Sequence, residues 1–214
     1  MSLVNSLVSP APLLSSARAV AYAQRMDHHT PDDSALMLRY RDGDANAFET
    51  LYRRHNDALY RYFLRLSRHP ATAEDLFQEA WGKIIKAKDN YQPTAKFTTF
   101  LYRVAHNCFI DHIRKNRRHA NTADVDPDSR AGNDDGPDLE AERQLARQRL
   151  ELALCDLPDE QRDAFLLREE AGLTLDEIAL VTGVNRETAK SRLRYAVRKL
   201  KAAIGDAALA GEST

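Results

Sequence analysis

The chain has 214 residues, 43% of them apolar and 29% charged, which supplies one or two packed domains and excludes wholesale disorder. A formal net charge of −1 excludes a uniformly basic coat for nucleic acid, but not a chain that is basic in one place and acidic in another. Eight Gly and eight Pro fall short of the roughly 12% that ordinary chains carry, which argues against a turn-rich β fold and for helices.

Residues 1–32 are expected to be an N-terminal extension without packed structure. Leu3–Ala23 is moderately apolar, but it lacks a basic leading segment and carries Asn5, Pro10, Pro12 and Arg18, which argues against a secretion signal. A short helix is predicted at Ser34–Tyr40. Phe48, Leu51, Tyr52, His55, Leu59, Tyr62, Phe63 and Leu66 then repeat at three and four, the stripe of a long amphipathic helix. Leu76, Phe77, Ala80, Trp81, Ile84 and Ile85 repeat likewise after Pro70. Phe97, Phe100, Leu101, Val104, Ala105, Cys108 and Ile113 do so after Pro93. These helices suffice for a bundle over 33–120.

The composition then changes. Residues 121–142 hold eight acids against Arg130 alone, a net of −7, with almost nothing apolar. Such a segment cannot bury enough surface to offset its ordering entropy, so 121–138 reads as a flexible acidic linker. Fully extended, those residues span at most roughly 60 Å. Helical periodicity resumes near Leu139 and marks a second block over 139–205, followed by a tail at 206–214. Leu157-Pro158-Asp159 opens a helix and Ala171-Gly172 ends it. Thr174-Leu-Asp-Glu177 is a capping box, Gly183-Val184-Asn185 a tight turn, and Arg186 to Lys201 a basic final helix. The second block is a helix-turn-helix, and the fold class is all-α with two small helical domains.

The basic charge is concentrated. Residues 101–120 carry five bases against Asp111, a net of +4, and residues 186–201 carry seven against Glu187, a net of +6. A basic helix is often a solvated face. One that is also the second helix of a helix-turn-helix has the composition of an element that enters the major groove, neutralising phosphates and reading base edges.

Four motifs, in order, carry a family resemblance: Gly43-Asp-Ala-Asn-Ala-Phe48 with Leu51-Tyr52; Ala73-Glu-Asp-Leu-Phe-Gln-Glu-Ala-Trp81; Phe97-Thr-Thr-Phe-Leu-Tyr-Arg-Val-Ala-His-Asn107 with Ile110-Asp-His-Ile-Arg114; and Glu177-Ile-Ala with Thr188-Ala-Lys-Ser-Arg-Leu193. Together they resemble bacterial sigma factors of the extracytoplasmic-function (ECF) type, in the sigma-70 family, which are built from two helical domains called regions 2 and 4. The resemblance implies that Glu74, Asp75, Gln78 and Glu79 dock on the β′ clamp helices of core RNA polymerase, and that region 4 meets the β flap; Leu76, Phe77, Ala80 and Trp81 are expected to face the core, with an exposed edge of Trp81 joining the polymerase contact. It implies that Asn107 reads a flipped base of the −10 element, with Phe100, Asp111 and Arg114 beside it and Arg103, Lys115, Arg117 and Arg118 on phosphates. Phe100 stands where the family often has Trp, a swap that touches its part in −10 recognition. In the final helix, Arg186, Thr188, Lys190, Ser191, Arg194 and Tyr195 are the expected −35 contacts, with Arg192 and Arg198 on the DNA backbone. An anti-sigma factor is a further implied partner, and the cytoplasm the implied location.

The alternative is a stand-alone helix-turn-helix regulator whose N-terminal bundle senses a ligand or dimerises. The Ala73–Trp81 and Phe97–Arg114 motifs discriminate, since an ordinary regulator needs neither. Seven scattered histidines, no phosphate-cradling glycine loop and no nucleophile elbow argue against an enzyme, so no catalytic residue, metal site or cofactor is expected. Cys108 and Cys155, 47 positions apart, form no metal or disulfide pattern and are expected to be small core residues. No run reaches the roughly 18 apolar residues of a membrane span.

Overall fold

Residues 45–67 set the frame. Asp44 caps this helix by accepting from the backbone N–H groups of Asn46 and Ala47, and its last turn closes on Arg68, whose φ of 62° is left-handed and whose N–H reaches the Leu64 carbonyl. Along one face, Leu51, Leu59, Tyr62, Phe63 and Leu66 are all buried. Burying a side chain of this size contributes about 1.5–3 kcal/mol, so that face organises everything packed on it. In a computed structural model of the protein, described over residues 31–120 and 148–210, the helices are α1 (Asp33–Arg41), α2 (Ala45–Ser67), α3 (Pro70–Ala87), a 3-10 turn at Lys88–Asn90, α4 (Phe97–Ala120), α5 (148–155), α6 (Asp159–Glu169), α7 (Leu175–Thr182) and α8 (Arg186–Ala210). No strand occurs among the described residues.

The all-α class and the order of helices follow the sequence pattern. Helix α1 is pinned to α2 by Asp33, whose carboxylate meets Arg54 at 2.5 Å and His55 Nε2 at 2.8 Å. The hydrogen bond with His55, then the one from Arg54, holds that carboxyl below its ordinary range. Pro70 sits in the first turn of α3, where its missing N–H is no loss. The capping box at Thr174 forms as expected: Thr174 accepts from the Glu177 N–H, and Glu177 accepts from the Thr174 N–H at 2.8 Å. Gly183, at φ 67°, supplies the left-handed turn between α7 and α8.

The helices of the first block and those of the helix-turn-helix are packed together. The described helices from Asp33 onward belong to one compact unit. Ala164, Leu166, Leu167, Leu173, Ile178 and Val181 of the second block join the same hydrophobic cluster as Leu51, Phe63 and Leu101 of the first. A smaller cluster of Ala153, Leu154, Leu157, Ala196 and Leu200 lies within the second block. Hydropathy periodicity marks which face of a helix is apolar, but not which partner covers it, so this packing is not legible from the stripes. The extension, the acidic linker, the start of the second block and the end of the tail lie outside the described residues.

Candidate nucleic-acid interface

Helix α4 separates two faces. Leu101, Ala105 and Cys108 are sealed in the core, whereas Arg103, Asn107, Arg114, Lys115, Arg117 and Arg118 are exposed. Arg103, Asn107, Asp111 and Arg114 recur at three and four and so form one stripe. Asn107, Asp111 and Arg114 line an open cleft of about 550 Å³, together with Lys83 and Ala87 of α3 and Thr182 at the end of α7. Lys83 lies between two groups of candidates, 2.8 Å from Glu79 and 3.9 Å from Asp111. Arg114 lies 3.9 Å from Asp111 as well, so the cleft pairs an amide with carboxylate and cationic groups. Phe100 is half-buried, its ring centroid 5.2 Å from Tyr91 and 6.2 Å from Phe97.

On α3, Glu74, Asp75, Gln78 and Glu79 are exposed along one side, while Ala73, Leu76 and Ala80 face inward. Trp81 faces the core, as expected with Leu76 and Ala80, and keeps almost none of the exposed edge that would join a polymerase contact. It is 4% exposed, with ring centroids of Tyr52 at 5.0 Å and Phe48 at 5.6 Å, because it follows the buried stripe of Leu76 and Ala80. Its indole Nε1 is buried without a hydrogen-bond partner among the described residues.

Helix α8 opens on Asn185, whose side chain accepts from the Thr188 N–H at 2.7 Å. Arg186, Lys190, Arg194, Tyr195 and Arg198 are exposed. Arg186 is held 2.8 Å from Asp176 of α7, and the guanidinium carbons of Arg194 and Arg198 lie 5.2 and 4.9 Å from the Tyr195 ring centroid. This cation-aromatic stack pre-orders three side chains that are otherwise rich in rotamers. Thr188, Ser191 and Arg192 are half-buried, and the Ser191 hydroxyl donates to the Thr188 carbonyl. Ala189, Ala196 and Leu200 form the inward face. Leu193 and Val197 are only half-buried.

A second set of polar groups escaped the sequence reading. Asp163 of α6 is 4% exposed, and it accepts from the Tyr62 hydroxyl at 2.7 Å and pairs with His106 Nδ1 at 2.8 Å. Burial, then the neighbouring Asp163 charge, pushes the Tyr62 hydroxyl well above its ordinary pKa. Glu170 pairs with Arg61 at 2.9 Å and with Arg65. Glu177 meets Lys96 at 3.1 Å and accepts from the Thr99 hydroxyl. Arg162 is buried and donates to backbone carbonyls on both blocks: Leu154 and Leu157 beside α5, and Leu66 near the end of α2. An Arg-Asp pair inside an amphipathic helix reads as surface charge in the sequence. Only the apolar residues flanking it, Ala164, Leu166 and Leu167, hint at burial. Cys108 is buried as expected, with its thiol pushed up by that burial, whereas Cys155 is only half-buried.

Comparison with known proteins follows the same division. The sigma-70 region 2 family matches residues 51–119, and the sigma-70 region 4 family matches residues 147–200. RNA polymerase sigma factor CarQ of Myxococcus xanthus is 31% identical over 174 residues, 79% of this chain and 96% of CarQ. ECF RNA polymerase sigma factor SigM of Mycobacterium tuberculosis is 30% identical over 196 residues, 91% of this chain and 94% of SigM. In fold, the chain is similar to the sigma factor RpoE crystallised with the anti-sigma factor NepR from Bartonella quintana, with a TM-score of 0.61 at 23% identity over 74% of this chain and 96% of that one. The chain therefore belongs to the sigma-70 family of RNA polymerase sigma factors, in its ECF group.

Proposed function

We propose that this sigma factor docks on core polymerase through the acidic side of α3, reads the −35 element with α8, and captures a −10 base with α4. As a sigma factor the chain binds core RNA polymerase and directs promoter-specific transcription initiation. Its own work is recognition and strand separation, with no bond made or broken by its side chains. Melting requires a base to leave the stack and be held by its edge, at an unstacking cost of a few kcal/mol. The Asn107 amide supplies a donor and an acceptor for that edge, Asp111 and Arg114 flank it in the same cleft, and Phe100 offers a partly accessible ring. Arg103, Lys115, Arg117 and Arg118 lie on the same exposed side and hold the strand by its phosphates. On α8, Arg186, Lys190, Arg194 and Tyr195 lie early in the helix, where a recognition helix meets base edges. Arg192 and Arg198 take the backbone.

One observation carries this reading: α4 presents Arg103, Asn107 and Arg114 to solvent while its opposite face is sealed in the core. The exposed Glu74, Asp75, Gln78 and Glu79 support polymerase docking, with Trp81 acting from beneath by fixing α3. An anti-sigma partner is inferred alongside, supported by the co-crystal structure of RpoE with the anti-sigma factor NepR and the structure of CnrH in complex with the cytosolic domain of CnrY. A cytoplasmic location follows from the polymerase partner. Among the described residues, no helix is long and apolar enough to cross a membrane.

Transcription with purified core polymerase tests the reading. Adding the chain is expected to start transcripts from its own promoters only. Tight promoter binding without polymerase, and no stimulation with it, would favour the stand-alone regulator.

A further inference from the structure

Helix α3 carries a glycine that its own chain does not explain. Gly82 sits in the helix interior, and its φ is not left-handed. A glycine there lowers the folded-to-unfolded ratio about four- to five-fold relative to alanine, because it has more backbone freedom to lose. Neither of the usual reasons for keeping one applies. The backbone does not use the left-handed region that glycine opens, and nothing in the chain presses on the position. A Cβ built on Gly82 would meet no other side chain and no neighbouring element within 4 Å among the described residues.

The place of Gly82 on the helix supplies a third reason. At about 100° per residue, it points roughly half a turn away from Ala73, Ala80 and Ile84, which are buried. Asp75, Gln78, Glu79, Ile85 and Lys86 fall within about 60° of it, and all five are exposed. Gly82 is thus a gap in the middle of the face proposed to dock on polymerase, with longer side chains standing around it. Ile85 is a large apolar side chain left in water beside the gap, and covering it is favourable. Packed helices lie about 8–10 Å apart, a distance set by the side chains at the crossing. A glycine at the crossing therefore admits the closest approach of another backbone.

From this placement we propose that Gly82 is the seat on which a helix of core RNA polymerase crosses α3, and that its missing side chain sets how closely the two helices pack. The proposal rests on the polymerase docking of α3 given above and adds to it a residue with no charge of its own. Asp75, Gln78 and Glu79 supply polar and charged contacts on the N-terminal side of the crossing, and Ile85 supplies an apolar one on the C-terminal side. The glycine lowers the stability of the free chain and improves its fit to the partner. Adding a methyl group at this position therefore moves the two properties in opposite directions.

Thermal unfolding and affinity for purified core polymerase, measured on the same full-length variants, test it. Gly82→Ala is expected to raise the melting temperature by about 2–4 °C, the shift that restored helix propensity gives a chain of this size. The same variant is expected to bind polymerase about five-fold or more weakly, the lower end of the loss from overpacking a fitted contact. Gly82→Leu fills the gap, and is expected to weaken binding further while melting no lower than the parent. Asp75→Arg reverses a charge on the same face and serves as the control for docking itself, with an expected loss of at least about ten-fold. If Asp75→Arg weakens binding while both Gly82 variants bind as tightly as the parent, the seat is refuted. It is equally refuted if Gly82→Ala lowers the melting temperature, since the chain's own fold would then need the glycine. If Asp75→Arg leaves binding intact, the docking reading of α3 fails, and the seat with it.

Discussion

Arg162 is the most sharply testable feature of the packing. Its side chain is 2% exposed, and its guanidinium donates from Nε to the Leu154 carbonyl at 2.9 Å, from Nη2 to the Leu157 carbonyl at 2.6 Å, and from Nη1 to the Leu66 carbonyl and the Asp159 carboxylate at 3.2 Å each. It therefore serves free carbonyls near the ends of α5 and α2, where a cation also favours the helix dipole. Arg162→Met keeps the length and much of the volume but leaves those carbonyls buried without donors. Each orphaned group costs about 1–3 kcal/mol, and removing one partner of a buried charge network costs about 3–5 kcal/mol in all. Urea unfolding followed at 222 nm is expected to show a loss of that size, out of the roughly 5–15 kcal/mol typical of a domain. Arg162→Lys keeps the charge but not the planar fork, and should fall between the two. A loss below about 1 kcal/mol for Arg162→Met would refute the assigned role.

Glu177→Gln removes the charge that the capping box and Lys96 favour. The hydrogen bond from the Thr174 backbone is the largest cause, and it holds this carboxyl below its ordinary value of 4.5. Its stabilisation is thus complete above about that pH and is lost as pH falls through the still lower folded value. The variant should lose about 1 kcal/mol at pH 7, and the gap from the parent should close below pH 4.5; a gap that persists in acid would contradict the cause given. Arg194→Ala removes one cation from the Tyr195 stack and one proposed base contact. Holoenzyme affinity for a native −35 element should fall by about 1–3 kcal/mol, with a smaller loss on a scrambled element. Equal losses on both would move Arg194 to the phosphate backbone.

Much of this architecture was legible in the chain because each helix carries its own instructions. The stripe from Leu51 to Leu66, the Thr174–Glu177 box and Gly183 are local signals, and the structure places them as their chemistry requires. Trp81 shows where locality ends. The stripe places the tryptophan in the core, but how much of its edge stays open beside the exposed acids depends on the surrounding Phe48 and Tyr52, which close over it. The contact between blocks was less visible still. Tyr62, His106 and Asp163 are brought together by tertiary packing across 57 and 101 positions, and no spacing rule connects them. The exposed stripe of α4 lies between these cases. Its apolar side is periodic and readable, and its functional side was identified through the family resemblance, since an Asn on a basic helix carries no signature of its own.

The central claim is that α4 opens the −10 element by capturing a base with Asn107. Permanganate reactivity of unpaired thymines in the polymerase-promoter complex tests it most directly. With the parent chain, thymines of the −10 element should become reactive. With Asn107→Ala, reactivity should drop about ten-fold or more while the −35 footprint and polymerase binding persist, the loss expected for a paired base edge. Undiminished reactivity with Asn107→Ala would contradict the account and assign base capture elsewhere on α4.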